Sequence, residues 1–462
     1  MKRWPPLVVV FVAAFLVCAL LTKTHVVSWN DGSRFATVES LVDRHTVAID
    51  DSPFLPIIGD WYRYQGKTYS DKPPLLAVSG AAIGFGLSLI GITFERHRPL
   101  TIYLITLLTV GVWYSAGCCY AYQFARLLGF ERVRAYGIAA VSGLATLSLP
   151  YATVLSNHVP CGVAALAGFY HAVRARASDK HAAVAGAFFA LAYCFDQTAV
   201  IFVAPAAVMM IGAALRRWIW MLVAGLPVVA IQLGYNLSIT GSLIPAALNK
   251  SLWLDPTLPL YAAAWASFAP TTPAEHLQNV FNLLIGGKGL FLYTPVALLS
   301  VYGLGVMFRD GGLPRRLTAA IALPAVTLFV LMLFFQNDAT ARNFGERRYV
   351  DVFWLLCVAL APALGQAVSA AQRFTVATLV AASILVAMLG VIAPFGGRAG
   401  EPGLIFAAAA FSELARRSWL QAALDIAVAI LAIVLTLRLL QPARVVPASG
   451  ATRQPDAPAV PS

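Results

Sequence analysis

Charged side chains are scarce in this chain. Only 12% of its 462 residues are Asp, Glu, Lys or Arg, against 59% hydrophobic, and the mean hydropathy is +0.75. Soluble domains carry about 25% charge, so a water-soluble globule is excluded. What remains is a polytopic membrane protein, because each lipid-facing helix needs about 20 apolar residues and must satisfy its own backbone. The six cysteines (Cys18, Cys118, Cys119, Cys161, Cys194, Cys357) all fall in apolar runs without metal-ligand spacing, which reads as small buried hydrophobes. Internal repeats are absent. The apolar start, MKRWPPLVVVFVAAFLVCALLTKT, has no small-residue cleavage site, so it reads as a retained first span with a cytoplasmic N-terminus.

Net charge is +12, in short basic clusters between apolar runs, which suits anionic lipid headgroups rather than nucleic acid. Those clusters set the topology. If residues 73–91 lie in the interface or re-enter, the basic stretches 126–134, 174–181, 216–217, 309–316 and 373 all fall inside, and only 95–98 falls on the wrong side. If 73–91 cross, 126–134 and 174–181 fall outside. The first arrangement is preferred, and Gly80, Gly84, Gly86 and Gly91 also make 73–91 a poor spanning helix. The fold expected is an all-α polytopic membrane protein with about 12 transmembrane helices, forming one domain over 1–440. Outer segments fall at 23–98, 151–157, the Asp196 turn, 236–286, 336–348 and 395–417. A Pro/Ala-rich tail, 441–462, is expected to be disordered in the cytoplasm. Short loops fit a bacterial inner membrane.

One stretch concentrates what charge there is. Between Asn30 and Pro74 lie seven of the 21 acidic residues: Asp31, Glu39, Asp43, Asp50, Asp51, Asp60 and Asp71. Phe35, Val38, Leu41 and Val42 form an apolar stripe, which predicts a short helix lying on the membrane with its polar face upward. Asn30 and Asp31 stand where an N-cap belongs, and Asp31 and Arg34 share a face at i, i+3. A carboxylate and a guanidinium at a helix N-terminus could hold an anion; equally, Asp31 could simply cap and Arg34 pair with a headgroup. Further on, Tyr69-Ser70-Asp71-Lys72-Pro73-Pro74 fixes Asp71 and Lys72 at the surface entry of an apolar helix, where a snorkelling lysine is the plainer alternative. A third polar element runs from Asn337 to Tyr349. Its Arg342, Arg347 and Arg348 could grip a phosphate or anchor to anionic lipid. His158 stands at a span end, Lys288 follows paired glycines that let backbone amides approach an anion, and Asp425 is isolated in the last span.

Together these residues resemble the GT-C membrane glycosyltransferases, the superfamily of the lipid A aminoarabinose transferase and the protein O-mannosyltransferases. Asp31-Gly32-Ser33-Arg34-Phe35 is similar to their D-E-x-R-Y, and Tyr69-Ser70-Asp71-Lys72-Pro73 to their Tyr-x-[Glu/Asp]-Lys-Pro. The two-span hairpin 182–214 and Arg348-Tyr349 ahead of a span also match. Gly32 replaces the usual second acid, Asn157-His158 stand where an acid of the second outer loop is usual, and the large outer domain of some members is missing. The resemblance implies a polyprenyl-phosphate sugar donor, an acceptor in lipid, glycan or protein, and catalysis at the outer face. It implies Asp31 as general base, with Arg34, Lys72, Arg347, Arg348 and Tyr349 at the donor phosphate. Trp61, Tyr62, Tyr64 and Tyr69 would contact sugar, and Asp71 would either hold Lys72 or, with His158, ligate a divalent metal. The competing expectation is a transporter or flippase, which would place ionisable groups near the midplane; here, Asp425 apart, charge crowds one face. A lipid-binding protein without turnover is the third alternative, and it makes Asp31 dispensable.

Overall fold

The apolar runs fold as helices. The computed structural model describes residues 4–254, 258, 271–335, 343–365, 369–395 and 419–441. The tail from 442, Arg342, and the acids and arginines expected at 401–417 lie outside them. The helices are α1 (Pro6–Leu21), α2 (Trp29–Arg44), α3 (Pro74–Ser88), α4 (Phe94–Leu127), α5 (Arg132–Leu144), α6 (His158–Ala175), α7 (Asp179–Phe195) and α8 (Gln197–Met210). They continue with α9 (Leu215–Thr240), α10 (Pro273–Leu284), α11 (Ala297–Asp310), α12 (Gly312–Phe335), α13 (Tyr349–Gly365), α14 (Ala370–Ile392) and α15 (Trp419–Leu440). Among the described residues, five helices are long and apolar enough to cross a bilayer: α4, α9, α12, α14 and α15. The expected twelve is not reached on that measure.

The first polar segment is built into the protein rather than laid on a surface. Every residue of α2 from Asn30 to Ser40 is buried, polar ones included. The expectation of an upward-facing polar side is therefore corrected: the Ser33 hydroxyl donates to the Asp60 carbonyl at 2.6 Å and lies 2.6 Å from Ser70 Oγ. Those partners flank an antiparallel hairpin, β1 (Trp61–Tyr64) and β2 (Lys67–Ser70), turning at Gln65-Gly66 with both φ values positive, as a two-residue hairpin requires. On its other side α2 packs on α3. Gly80 and Gly84, expected to weaken α3, instead let it close on α2: a Cβ on either would lie 3.0–3.1 Å from Val38 or Val42. At 15 residues α3 spans about 22 Å, less than the roughly 30 Å hydrocarbon core, the geometry of an interfacial or re-entrant helix.

Elsewhere, helices approach backbone to backbone at glycine. A Cβ on Gly303 of α11 would fall 1.8 Å from the Ala359 carbonyl of α13, and one on Gly186 of α7 the same distance from the Met221 carbonyl of α9. Small residues of this kind let apolar helices associate where lipid removes the hydrophobic drive. Between α1, α4, α5, α14 and α15 a gap of about 380 Å³ remains, floored by Ala14, Cys118 and Ala139. Its walls include Val9, Leu20, Leu431 and Leu435, which are themselves exposed.

Candidate active site

The cap of α2 is Ser28, not Asn30 or Asp31. Asp31 is the third residue of the helix, and its carboxylate accepts from the Val27 amide (3.0 Å), the Ser28 amide (2.8 Å) and the Ser28 hydroxyl. This is a capping box, with reciprocal bonds that close the helix start. Burial raises the Asp31 pKa while the cap bonds pull it back. Asp31 and Arg34 form no ion pair among the described residues, so the i, i+3 pair expected from spacing is not made. Gly32 has a steric reason: a Cβ there would stand 2.6 Å from Ile58.

Arg34 is 1% exposed. Its Nη1 donates to the Asn30 backbone carbonyl at 2.7 Å and to the Asn30 side chain, and Nη2 donates to Asn157 Oδ1. These partners are amides, not acids, and the Nε–H has none. Arg347 likewise has a buried Nε–H without a partner. The two guanidinium groups feel one another: burial, then the charge of Arg347, push Arg34 down to about 10. Arg34 is buried and Arg347 half-buried; Asp71, Asp196 and Asp60 offset part of the charge on Arg34, and the two unpartnered Nε–H groups are left for an anion to complete.

Beside them lies the expected Asp71-Lys72 pair, joined by Asp60. Lys72 Nζ is 2.7 Å from Asp60 Oδ2 and 3.0 Å from Asp71 Oδ1. Burial favours the neutral form of both acids. For Asp60 it is outweighed by the charges of Lys72, Arg347 and Arg34, so its pKa falls. For Asp71 burial wins, with the Asp60 charge adding to it, and its pKa rises. Two carboxylates around one ammonium are thus separated into an ionised partner and a proton acceptor.

A third group was mostly missed from sequence. His158 Nδ1 lies 3.1 Å from Asp351 Oδ1 and 3.6 Å from Asp196 Oδ2. The Thr198 hydroxyl sits 2.7 Å from Asp196 and 3.2 Å from Asp351. Asn157 donates to Asp196 Oδ2 at 2.6 Å, so a polar chain runs from Arg34 through Asn157 and Asp196 to this cluster. Ligand atoms of His158, Asp196 and Asp351 all lie within 4.8 Å of one another. One imidazole and two carboxylates suit a divalent ion such as zinc or manganese. The expected metal pair of Asp71 and His158 is corrected: His158 joins Asp196 and Asp351, while Asp71 belongs to Lys72. Asp351 was legible as an ionisable residue entering an apolar run, but it sits directly behind Arg347, Arg348 and Tyr349, which drew the reading away. The meeting depends on Gly162, one turn below His158, where a Cβ would stand 2.6 Å from the Val350 carbonyl. Gly162→Ala is expected to wedge α6 from α13 and cost about 1–3 kcal/mol, read as a lower thermal midpoint in detergent; an unchanged midpoint would show that the helices can part freely.

The remaining expectations divide. Tyr349 is buried and donates to the Leu283 carbonyl at 3.0 Å, so its hydroxyl is taken up by α10 rather than offered to a phosphate. Arg348 turns back on Glu346 at 3.4 Å. Lys288 donates to the Asn343 carbonyl at 2.6 Å, which ties the 343–348 turn in place. Of the aromatic run, Tyr62 is 2% exposed and stacks on Tyr69 with centroids 5.7 Å apart. The Trp61 indole donates to Ile58, with Arg63 over its ring, and Tyr64 completes β1.

The helices and the polar cluster at one end define a membrane protein whose buried charged site is formed by the first loop and the starts of several helices. No protein-family model and no curated protein matches the chain. Among solved structures it is similar to ArnT from Cupriavidus metallidurans bound to undecaprenyl phosphate, with 17% identity over 94% of this chain and 76% of that one, at a TM-score of 0.51. The apo form of ArnT superposes at 0.52 with the same identity and coverage. An oligosaccharyltransferase from Archaeoglobus fulgidus, tethered with an acceptor peptide, is 12% identical over 94% of this chain and 54% of that one, at 0.48. The fold is the GT-C fold.

Proposed function

We propose that this protein is a glycosyltransferase that takes a sugar from a polyprenyl-phosphate donor and passes it to an acceptor hydroxyl or amide at the outer face of a bacterial inner membrane. The observation that carries the reading is the pair Arg34 and Arg347, both with an unpartnered buried Nε–H and without a carboxylate in ion-pair reach among the described residues. Such a pair suits a phosphate, whose oxygens take several guanidinium donors at once. ArnT, whose fold the chain shares, has been solved with undecaprenyl phosphate, which supports the same donor class here.

Displacement at the anomeric carbon needs cationic stabilisation of the leaving phosphate and a base for the acceptor. Arg34 and Arg347 serve the phosphate, with Lys72 beside them. Asp31 was the base expected from the resemblance, but its carboxylate is committed to the helix cap. Asp71 is the better candidate, because burial holds its pKa up and it borders a polar pocket shared with Lys72. A base works deprotonated, so kcat/KM should rise with pH through an acid limb above the ordinary aspartate value of about 3.9. That limb should vanish in Asp71→Asn; a limb that persists there assigns it to another group.

His158, Asp196 and Asp351 would hold a divalent cation, which would supply positive charge near the donor phosphate. Independently of turnover, chelator dialysis should lower the thermal midpoint of wild type and leave His158→Ala unmoved. Protein that carries no metal by elemental analysis and ignores the chelator speaks against the ion. The direct test of the function is release of polyprenyl phosphate from a panel of undecaprenyl-phosphate sugars by the purified protein. No release with any donor, together with movement of an anionic lipid across liposomes, would favour a flippase instead.

A further inference from the structure

The end of the helix bundle away from the candidate site carries a second cavity. Helix α6 begins in the site at His158 and runs 18 residues, about 27 Å, so its last turn lies at the opposite face of the membrane. There a cavity of about 590 Å³ opens between the ends of α6 and α8 and the start of α12. Trp218 and Trp220 in the first turns of α9, with the exposed Ile211 and Leu215, mark this level as the boundary of lipid and water, where tryptophan collects. The cavity joins two chemistries. Val173, Met209 and Leu313 give it an apolar wall, and its polar side chains are Arg176 and Arg316. Neither guanidinium has a hydrogen-bond or ion-pair partner among the described residues: Asp179, close by in sequence, is held by Arg216 at 2.7 Å and lies 3.6 Å from Arg217, and Asp310 pairs with neither. Gly212 makes room for Arg176. It sits at φ +80°, and a Cβ there would stand 2.9 Å from Arg176 Nη2.

We infer that this cavity binds one anionic phospholipid of the leaflet facing away from the candidate site, with the lipid phosphate between Arg176 and Arg316 and an acyl chain along Val173, Met209 and Leu313. Two guanidinium forks in one cavity without an acid call for an anion, and they match phosphate oxygens. Basic pockets between membrane helices hold anionic headgroups for this reason. The apolar wall selects an amphiphile over a soluble phosphate, which would leave that wall facing water. The volume fits as well. It is roughly four times the ~150 Å³ that holds a benzene, room for a phosphoglycerol headgroup and the first part of a chain. A lipid seated there ties the start of α12 to the ends of α6 and α8. This binding does not depend on which sugar donor the opposite face uses.

The test follows the thermal midpoint of the purified protein in detergent while phosphatidylglycerol, phosphatidylcholine or sodium phosphate is titrated in. Phosphatidylglycerol should raise the wild-type midpoint in a saturable way, and the other two should leave it in place. Arg176→Gln/Arg316→Gln should need about 10- to 30-fold more phosphatidylglycerol for half the effect. Both arginines are exposed, so this variant should fold, and Arg316→Gln alone supplies a milder form. Arg132→Gln/Arg438→Gln removes as much charge near the contact of α5 with α15 and should match wild type. Equal curves for wild type and Arg176→Gln/Arg316→Gln, or no rise with phosphatidylglycerol at all, would overturn the site. A loss of the same size in Arg132→Gln/Arg438→Gln would reduce it to general attraction between charge and lipid, and protection by sodium phosphate would overturn the lipid as its occupant.

Discussion

Arg347→Ala is expected to lower kcat/KM by about 10³-fold, close to 4 kcal/mol of transition-state stabilisation, while leaving the protein as stable as before or slightly more so. The two halves of this result have one cause. Arg347 pushes against the buried Arg34, and its Nε–H has no partner; removing it relieves that repulsion. With phosphate between them, the same two groups become donors to one anion, and the charge that was a burden is the catalyst. A structural arginine behaves in the opposite way: its loss lowers the thermal midpoint and spares turnover. Measured together, the midpoint and kcat/KM therefore separate the roles, and retention of full activity would remove Arg347 from the phosphate.

Asp31→Asn and Asp71→Asn should fail in different ways. Asp31→Asn keeps one acceptor oxygen but loses the charge at the helix start, so it should cost stability, about 1 kcal/mol for a weakened cap, with turnover of the folded fraction kept within severalfold. Asp71→Asn should fold and bind donor, yet turn over about 10²- to 10⁴-fold more slowly, the range for a lost general base. Asp60 then remains as the partner of Lys72 at 2.7 Å, so the ammonium does not become an orphan. The reverse pattern, with Asp31→Asn inactive and stable and Asp71→Asn active, would restore the base to the first helix.

Composition and hydropathy carried the fold class, and the order of apolar runs carried the helices, because lipid imposes a strong constraint on every segment that meets it. The bounds of α6, α7 and α13 follow directly from those runs. The site was legible only where it is local in sequence. Arg34, Asp71 and Lys72 announce themselves within short motifs, and all three are at the centre. Roles that depend on a neighbour's position were not legible. Ser28 rather than Asn30 caps α2 because the chain turns one residue pair earlier than the pattern implied, and that alone converts Asp31 from a free acid into a bonded one. Asp196 and Asp351 are 155 residues apart and meet across His158 only because Gly162 admits the α13 backbone. Asn157, noted as a missing acid, is the link between Arg34 and Asp196.

The gap lined by α1, α4, α5, α14 and α15 bears on how the protein should be handled. Its alanine and cysteine floor and its exposed leucine walls mean that the described residues alone do not complete the interior there. In a bilayer an acyl chain is expected to fill this space, which would make the surrounding lipid a constituent of the packing rather than a passive medium. Extraction into a short-chain detergent then acts on this region as a set of large-to-small core substitutions would, withdrawing packing atoms without altering the sequence. The hold of α14 and α15 on the rest becomes a property of the bilayer as much as of the chain.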